Sequence, residues 1–198
     1  MLRGFALNDA PGLMDAIRLV IRASPLRRLR NPDGSLMDVA VSNCGVLGWE
    51  NERRGYGYSP VDPVQRRPWP PMPSMFRALA SSASKAAGFG PFDPQVCIIN
   101  QYAVGAGLRM HQDRNDARDD APVVSVSLGL PAMFRFGGQG KHRPVKRVSL
   151  HHGDVAVWGG ASRMARHGIE PIAPGNHAIT GPYRWNLTFR SAKLSQGV

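Results

Sequence analysis

In the stretch NQYAVGAGLRMHQDRND, residues 100–116, a histidine and an aspartate stand one residue apart as His111-Gln112-Asp113. Side chains of an extended chain alternate between two faces. If residues 108–113 are extended, His111 and Asp113 therefore share a face, where an imidazole and a carboxylate can grip one ion. The third ligand has to come from elsewhere, and His167 in SRMARHGIEP is the candidate. Two histidines and one carboxylate, with coordination positions left open, suit Fe(II) and oxygen chemistry. By itself HxD also fits a strand-end histidine hydrogen-bonded to Asp113. His142, His151, His152 and His177 fall in or beside turn sequences and read as surface residues.

A second pattern lies near the C-terminus. As a strand, RWNLTFR puts Arg184, Asn186, Thr188 and Arg190 on one face and Trp185, Leu187 and Phe189 on the other. An inward-facing arginine needs an anionic partner, and its planar fork matches a carboxylate. A dicarboxylate cosubstrate would supply that partner; an edge strand with two surface arginines would show the same spacing. Asn100 and Tyr102, also two apart, offer further polar handles.

These residues need a scaffold. A chain of 198 residues suits one domain spanning 1–198. Residues 9–23 read as a helix with Leu13, Ile17, Val20 and Ile21 on one stripe, and residues 74–88 as a second helix ending at Gly88. Residues 24–36 are turn-rich, and MDVAVSNCG reads as a short strand. Residues 50–74 hold six prolines and read as an irregular cover loop. From about residue 95 onward, QVCIINQYAV, PVVSVSLG, AMFRFGG, KRVSLHHG, DVAVWGG and RWNLTFRSA read as short strands between turns. That texture means a sandwich or barrel. The expectation is a mainly β fold, a jelly-roll core with N-terminal helices packed on it.

Composition narrows the partners. No apolar run approaches the length of a membrane span, and the N-terminal sequence lacks the regions of a secretory signal; both point to the cytoplasm. Cys44 and Cys97 form no CxxC pair and read as two reduced thiols. Twenty-five basic against 14 acidic residues give a net charge of +11, which favours a polyanion such as nucleic acid. The charge is spread along the chain, as a broad backbone-contacting face requires.

The segments NQYAVGAGLRMHQD, APVVSVSLGLPAMFRFGG, GDVAVWGG, RHGI and RWNLTFR, preceded by NCGVLGWE, RRGYGYSPVDP and RPWPPMP, resemble the AlkB family of Fe(II)/2-oxoglutarate-dependent dioxygenases. The likeness covers nearly the whole chain in consistent order and is greatest to the bacterial DNA-repair branch. It implies a double-stranded β-helix over about 95–192, with a nucleotide-recognition lid over about 40–75. It implies Fe(II) held by His111, Asp113 and His167, with 2-oxoglutarate and O2 as cosubstrates. By the same resemblance Arg190 would hold the distal carboxylate of 2-oxoglutarate and Arg184 would sit near its C1 carboxylate and Asp113. Asn100, Tyr102 and Asn186 would complete that pocket, with Ser125 beside it.

The implied activity is oxidative demethylation of 1-methyladenine and 3-methylcytosine type lesions in DNA, releasing succinate, CO2 and formaldehyde. The protein would act as a monomer on a single strand or a flipped base, with no membrane and no obligate protein partner. Trp49 would stack on the damaged base against the His111 ring; Tyr56 would touch the nucleotide backbone, with Tyr58 in the same lid. Trp69 and Trp158 read as packing residues. Two positions depart from the pattern. Asn115 stands where an acid is usual and brings no countercharge, and Lys141 stands where an arginine often contacts the nucleic acid. The alternatives are the same chemistry on methylated RNA or protein, and a nucleic-acid-binding jelly roll without catalysis.

Overall fold

The computed structural model describes residues 1–31, 33–52, 55–113, 121–137 and 144–192; of residues 51, 52, 55 and 56 it describes the backbone alone. Two helices, α1 (Ala10–Ala23) and α2 (Ser74–Ala86), precede the main run of strands. Pro11 sits in the first turn of α1, where its missing N–H costs nothing. The predicted stripe is buried at Leu13, Ile17 and Val20.

The strands are β1 (Arg27–Arg30), β2 (Leu36–Gly45), β3 (Gly48–Glu52), β4 (Gly55–Ser59), β5 (Val61–Asp62), β6 (Arg67–Pro68), β7 (Val96–Tyr102), β8 (Leu108–His111), β9 (Val123–Gly129), β10 (Ala132–Gly137), β11 (Val145–Leu150), β12 (Val155–Trp158), β13 (Arg166–Ile169) and β14 (Arg184–Arg190). They build a six-stranded sheet in the order β1-β2-β7-β14-β9-β12 and a four-stranded sheet in the order β11-β10-β13-β8. Strands far apart in sequence lie side by side, as in a jelly roll. One face of the larger sheet, with Cys97, Ile99, Val126, Leu187 and Phe189, packs on Ile17, Phe76 and Leu79 of the helices. Its other face, with Val39, Val41, Ile98 and Tyr102, packs with Phe134, Leu150 and Ile169 of the smaller sheet. Period-two alternation thus gives each strand of the larger sheet one face for the helices and one for the interior.

Two expectations change. Residues 50–74 are not an irregular loop: β3 pairs with β4, and β5 with β6. All six prolines of that segment fall at or after residue 60, so nothing denies hydrogen bonds to the first hairpin. The turn-rich 24–36 segment contains β1, which pairs with β2 along the sheet edge. Four residues with alternating half-burial carry too weak a periodicity to be read before their partner is known. Cys44 stands opposite Cys97 across β2 and β7, and both are buried free thiols.

The pairing of β13 with β8 brings the two candidate histidine ligands together. His167 lies opposite His111 and Ile169 opposite Leu108, so Arg109 and Met110 together face Gly168. This is a bulge, and it requires a close approach. A Cβ on Gly168 would sit 2.6 Å from the Leu108 carbonyl oxygen, which is backbone and cannot swing aside. Gly168→Ala is therefore expected to cost about 1–3 kcal/mol of stability, measured by chemical denaturation. It should also separate His111 from His167, detected as weakened binding of a divalent ion such as Co(II).

Candidate metal and cosubstrate site

The register of β13 against β8 brings the two histidine rings to a centroid separation of 4.4 Å. Asp113, two residues past His111, turns inward between them. Its Oδ1 lies 3.5 Å from His111 Nε2, and its Oδ2 3.4 Å from His167 Nε2. One ligand atom from each residue falls within 4.8 Å of the others.

Each imidazole is oriented from behind. His111 Nδ1 is 2.9 Å from the Arg109 carbonyl oxygen, and His167 Nδ1 is 3.2 Å from that of Ala165. A carbonyl can only accept, so a neutral ring carries its proton on Nδ1 and turns the Nε2 lone pair towards Asp113. Burial, helped by His111 and against the pull of Asp113, lowers the His167 pKa to about 4, which keeps that ring neutral at pH 7. Burial alone would raise the Asp113 pKa. The Arg190 guanidinium and the two histidines outweigh it and hold the carboxyl well below the usual carboxylate range.

Asp113 Oδ2 is buried and accepts no hydrogen bond from the described residues. A buried ionised oxygen without a donor is costly, and a cation between the three side chains would satisfy it. Two imidazole nitrogens and one carboxylate fit Fe(II) with positions left for other ligands. Arg163, which is buried, donates from Nη1 to the Asp113 carbonyl oxygen at 3.3 Å and helps fix the turn. The ring wall behind His167 is made by Trp158 and Phe134, with centroids 4.9 and 6.1 Å away.

A cavity of about 800 Å³ opens from this cluster between the sheets. Arg184, Asn186, Thr188 and Arg190 of β14 line it, as do Asn100 and Tyr102 of β7 and Ser125 of β9. The two arginines occupy the reverse of their expected ends. Arg190, not Arg184, reaches Asp113, with Nη2 2.8 Å from Oδ1. Six residues along a strand separate them by about 20 Å, and the pairing puts Arg184 opposite Tyr102 and Arg190 opposite Val96. Alternation places both on one face, but it does not say which end meets the Asp113 turn.

Arg184 is 1% exposed. Its guanidinium lies 5.7 Å over the Tyr102 ring and donates to Ser127 Oγ at 3.1 Å, while Nε and Nη1 have no hydrogen-bond partner among the described residues. Burial lowers its pKa to about 10, so it stays cationic at neutral pH. Burial likewise pushes the Tyr102 phenol up to about 12, against the pull of the two arginines, so it remains a neutral donor. Between the arginines, Asn186 Nδ2 donates to Ser125 Oγ and the Val126 carbonyl oxygen at 2.8 and 2.9 Å. Thr188 Oγ1 and Asn100 Nδ2 donate to Asn186 Oδ1 at 2.7 and 3.2 Å.

Over the mouth, Asn43 clamps the Trp49 backbone from both sides, accepting from its N–H at 3.0 Å and donating to its carbonyl at 2.9 Å. Trp49 is half-buried and lines the cavity together with His111. Tyr58, opposite Trp49 on the hairpin, is buried at 2% exposure, and its hydroxyl accepts from Arg190 Nη1 at 3.4 Å. The Tyr56 side chain, Asn115 and Lys141 lie outside the described residues. Trp69 packs beneath the hairpin and donates to the Ser59 carbonyl oxygen. His151, His152 and His177 stand outside the cavity lining; His152 and His177 stack on each other at 4.3 Å. The roles of Arg163 and of Tyr58 towards Arg190 have no signature in the sequence, because both are tertiary contacts.

Among the described residues no helix is long and apolar enough to cross a membrane. The sequence model of the 2OG-Fe(II) oxygenase superfamily matches residues 1–190. The chain is 51% identical over 192 residues to the alpha-ketoglutarate-dependent dioxygenase AlkB of Escherichia coli K12, covering 97% of this chain and 89% of that protein. It is 37% identical over 195 residues to an AlkB homolog of Caulobacter vibrioides NA1000, covering 93% and 87% of the two chains. The solved structure of OsALKBH1 superposes with a TM-score of 0.83 at 26% identity, covering 96% of this chain and 95% of that one.

Asp113→Ala removes the one anionic ligand of the cluster. Titration with Co(II), followed by its visible absorption, should show affinity weakened by at least about 100-fold; near-normal binding would place the ion elsewhere.

Proposed function

Since the chain belongs to the 2OG-Fe(II) oxygenase superfamily and is similar over nearly its whole length to AlkB dioxygenases, we propose that it is an oxidative demethylase of N-alkylated bases in DNA. It acts as a cytoplasmic monomer that takes its target from a single strand or by base flipping. The overall reaction joins a methylated base, 2-oxoglutarate and O2 and yields the restored base, formaldehyde, succinate and CO2. Fe(II) held by His111, Asp113 and His167 supplies the oxygen chemistry when bound; the chain supplies placement and exclusion of water.

The observation that carries this reading is the pairing of an iron-type ligand cluster with Arg184. A buried guanidinium with two donor atoms unpartnered among the described residues is costly unless an anion meets it. A dicarboxylate reaching from the ligand cluster into the cavity provides one. Arg184 then anchors the distal carboxylate and Tyr102 borders it. Asn100, Asn186 and Ser125, tied into one network, hold the wall between. Arg190 keeps Asp113 ionised and oriented. Anchoring both ends of the cosubstrate fixes its orientation, which lowers the entropic part of the barrier.

The methyl group of a 1-methyladenine or 3-methylcytosine lies on the pairing edge, out of reach within a duplex. Extrusion costs a few kcal/mol, least for a base that pairs badly. Stacking on Trp49, held rigid through Asn43, returns about 1–3 kcal/mol. The two terms are similar in size, so a weakly paired lesion is selected over an intact base. Tyr56, Asn115 and Lys141 are the further candidates for substrate contact from the family resemblance, and the positive charge of the chain holds phosphates without reading sequence.

The direct test is to weigh oligonucleotides carrying 1-methyladenine or 3-methylcytosine before and after incubation with iron and 2-oxoglutarate. Loss of the mass of one CH2, as hydrogen replaces methyl, with equimolar succinate is expected; succinate formation only with methylated RNA would move the substrate class. Arg184→Met should raise the 2-oxoglutarate requirement at least about 30-fold, the effect of truncating one partner of a buried charge pair. The requirement for DNA should barely change. Trp49→Ala should show the converse, a raised requirement for DNA with that for 2-oxoglutarate near normal.

A further inference from the structure

The face of the four-stranded sheet turned away from the cavity carries arginines that the site does not use. Phe134 and Phe136 pack inward, so Arg135 between them points outward, and it is exposed. Arg147 of β11 stands directly opposite Arg135, with 62% of its side chain exposed. Arg166 of β13 pairs with Gly137, whose neighbour Phe136 faces His167, so Arg166 shares the outward side. Beyond it, over the edge strand β8, Arg109 lies on the cavity side, exposed at the mouth and two residues from His111. Three inter-strand steps of about 4.8 Å separate β11 from β8, a width of about 14 Å; Arg166 stands two residues along from the position opposite Arg135, so the row runs diagonally towards the rim of the site.

Like charges directly opposite on neighbouring strands repel and reduce stability. Glu170 offsets Arg147 at 2.7 Å, and Arg166 donates to the Met110 carbonyl oxygen at 3.0 Å. Arg135 has no hydrogen-bond or ion-pair partner among the described residues. A polyanion laid across the row would remove the repulsion and supply that partner. The net charge of +11 over the chain points the same way.

We propose that Arg147, Arg135, Arg166 and Arg109 form a phosphate track that holds the nucleic-acid strand flanking the target base and leads it over the sheet edge to the cavity. The proposal rests on the demethylase reading for the direction of the track, but its binding test does not. The contacts are to backbone phosphates, so the track reads no sequence. It lengthens the footprint of the enzyme without touching the reacting base.

The test compares the wild type with Arg135→Gln, which breaks no ion pair, and with Arg135→Gln/Arg147→Gln. Binding of an undamaged single strand of about 20 nucleotides is followed by fluorescence anisotropy over a range of salt. The salt slope should fall by about 0.7 in the single variant and about 1.4 in the double variant. Affinity at low salt should drop about tenfold in the double variant. Demethylation of a methylated trinucleotide, too short to reach Arg135 and Arg147, should be unchanged, and the melting temperature of the single variant should not fall, because it removes repulsion and breaks no ion pair. An unchanged affinity and slope on the long strand would overturn the track. So would equal losses on the trinucleotide, or loss of binding to anionic phosphatidylglycerol vesicles with DNA binding intact. A wild type inactive on every methylated oligonucleotide would refute the demethylase reading, while the binding comparison would still decide the track.

Discussion

The structure turns on one carboxylate. Asp113 is buried, yet its surroundings keep it ionised: Arg190 grips one oxygen, and two imidazoles face the pair. Burying a charge without partners costs several kcal/mol, and β8, β13 and β14 each bring one to Asp113. The bulge at Gly168 lets β8 approach β13, which brings His111 and His167 together. Arg163 holds the backbone at Asp113. The oxygen left without a hydrogen-bond donor, Oδ2, is the one a cation would take.

The cavity sets up a complementary imbalance at its far end. Arg184 is a buried cation with unused donors, just as Asp113 is a buried anion with an unused oxygen. The two charges stand at opposite ends of β14, Asp113 beside Arg190 and Arg184 six residues away, joined by a polar wall of asparagine, serine and threonine. A metal ion at one end and a dicarboxylate spanning towards the other would satisfy both. Stability and function are coupled here: the fold tolerates incomplete charge pairs because ligands complete them.

The lid and the outer sheet face act on a different scale. Asn43 and Trp69 stiffen the β3–β4 hairpin from below, so Trp49 meets the cavity mouth as a fixed surface. Tyr58 ties the same hairpin to Arg190. This contact links the element that covers the mouth to the residue that holds the metal aspartate.

Much of this was legible in the residues alone. Period-two spacing determined that Arg184, Asn186, Thr188 and Arg190 share a face, and the helical stripe of residues 9–23 determined α1, because both depend only on local backbone geometry. The residue types of the HxD pair and a later histidine determined which ion they suit. Strand register, by contrast, was settled only by tertiary structure: that His167 falls opposite His111, and that Arg190 rather than Arg184 reaches Asp113. The Pro-free start of the 50–74 segment allowed a hairpin, but its pairing and the burial of Tyr58 came from the body it packs against. Register, buried charge partners and cavity depth are set by contacts between strands distant in sequence, and no local periodicity encodes which of two equivalent ends will meet.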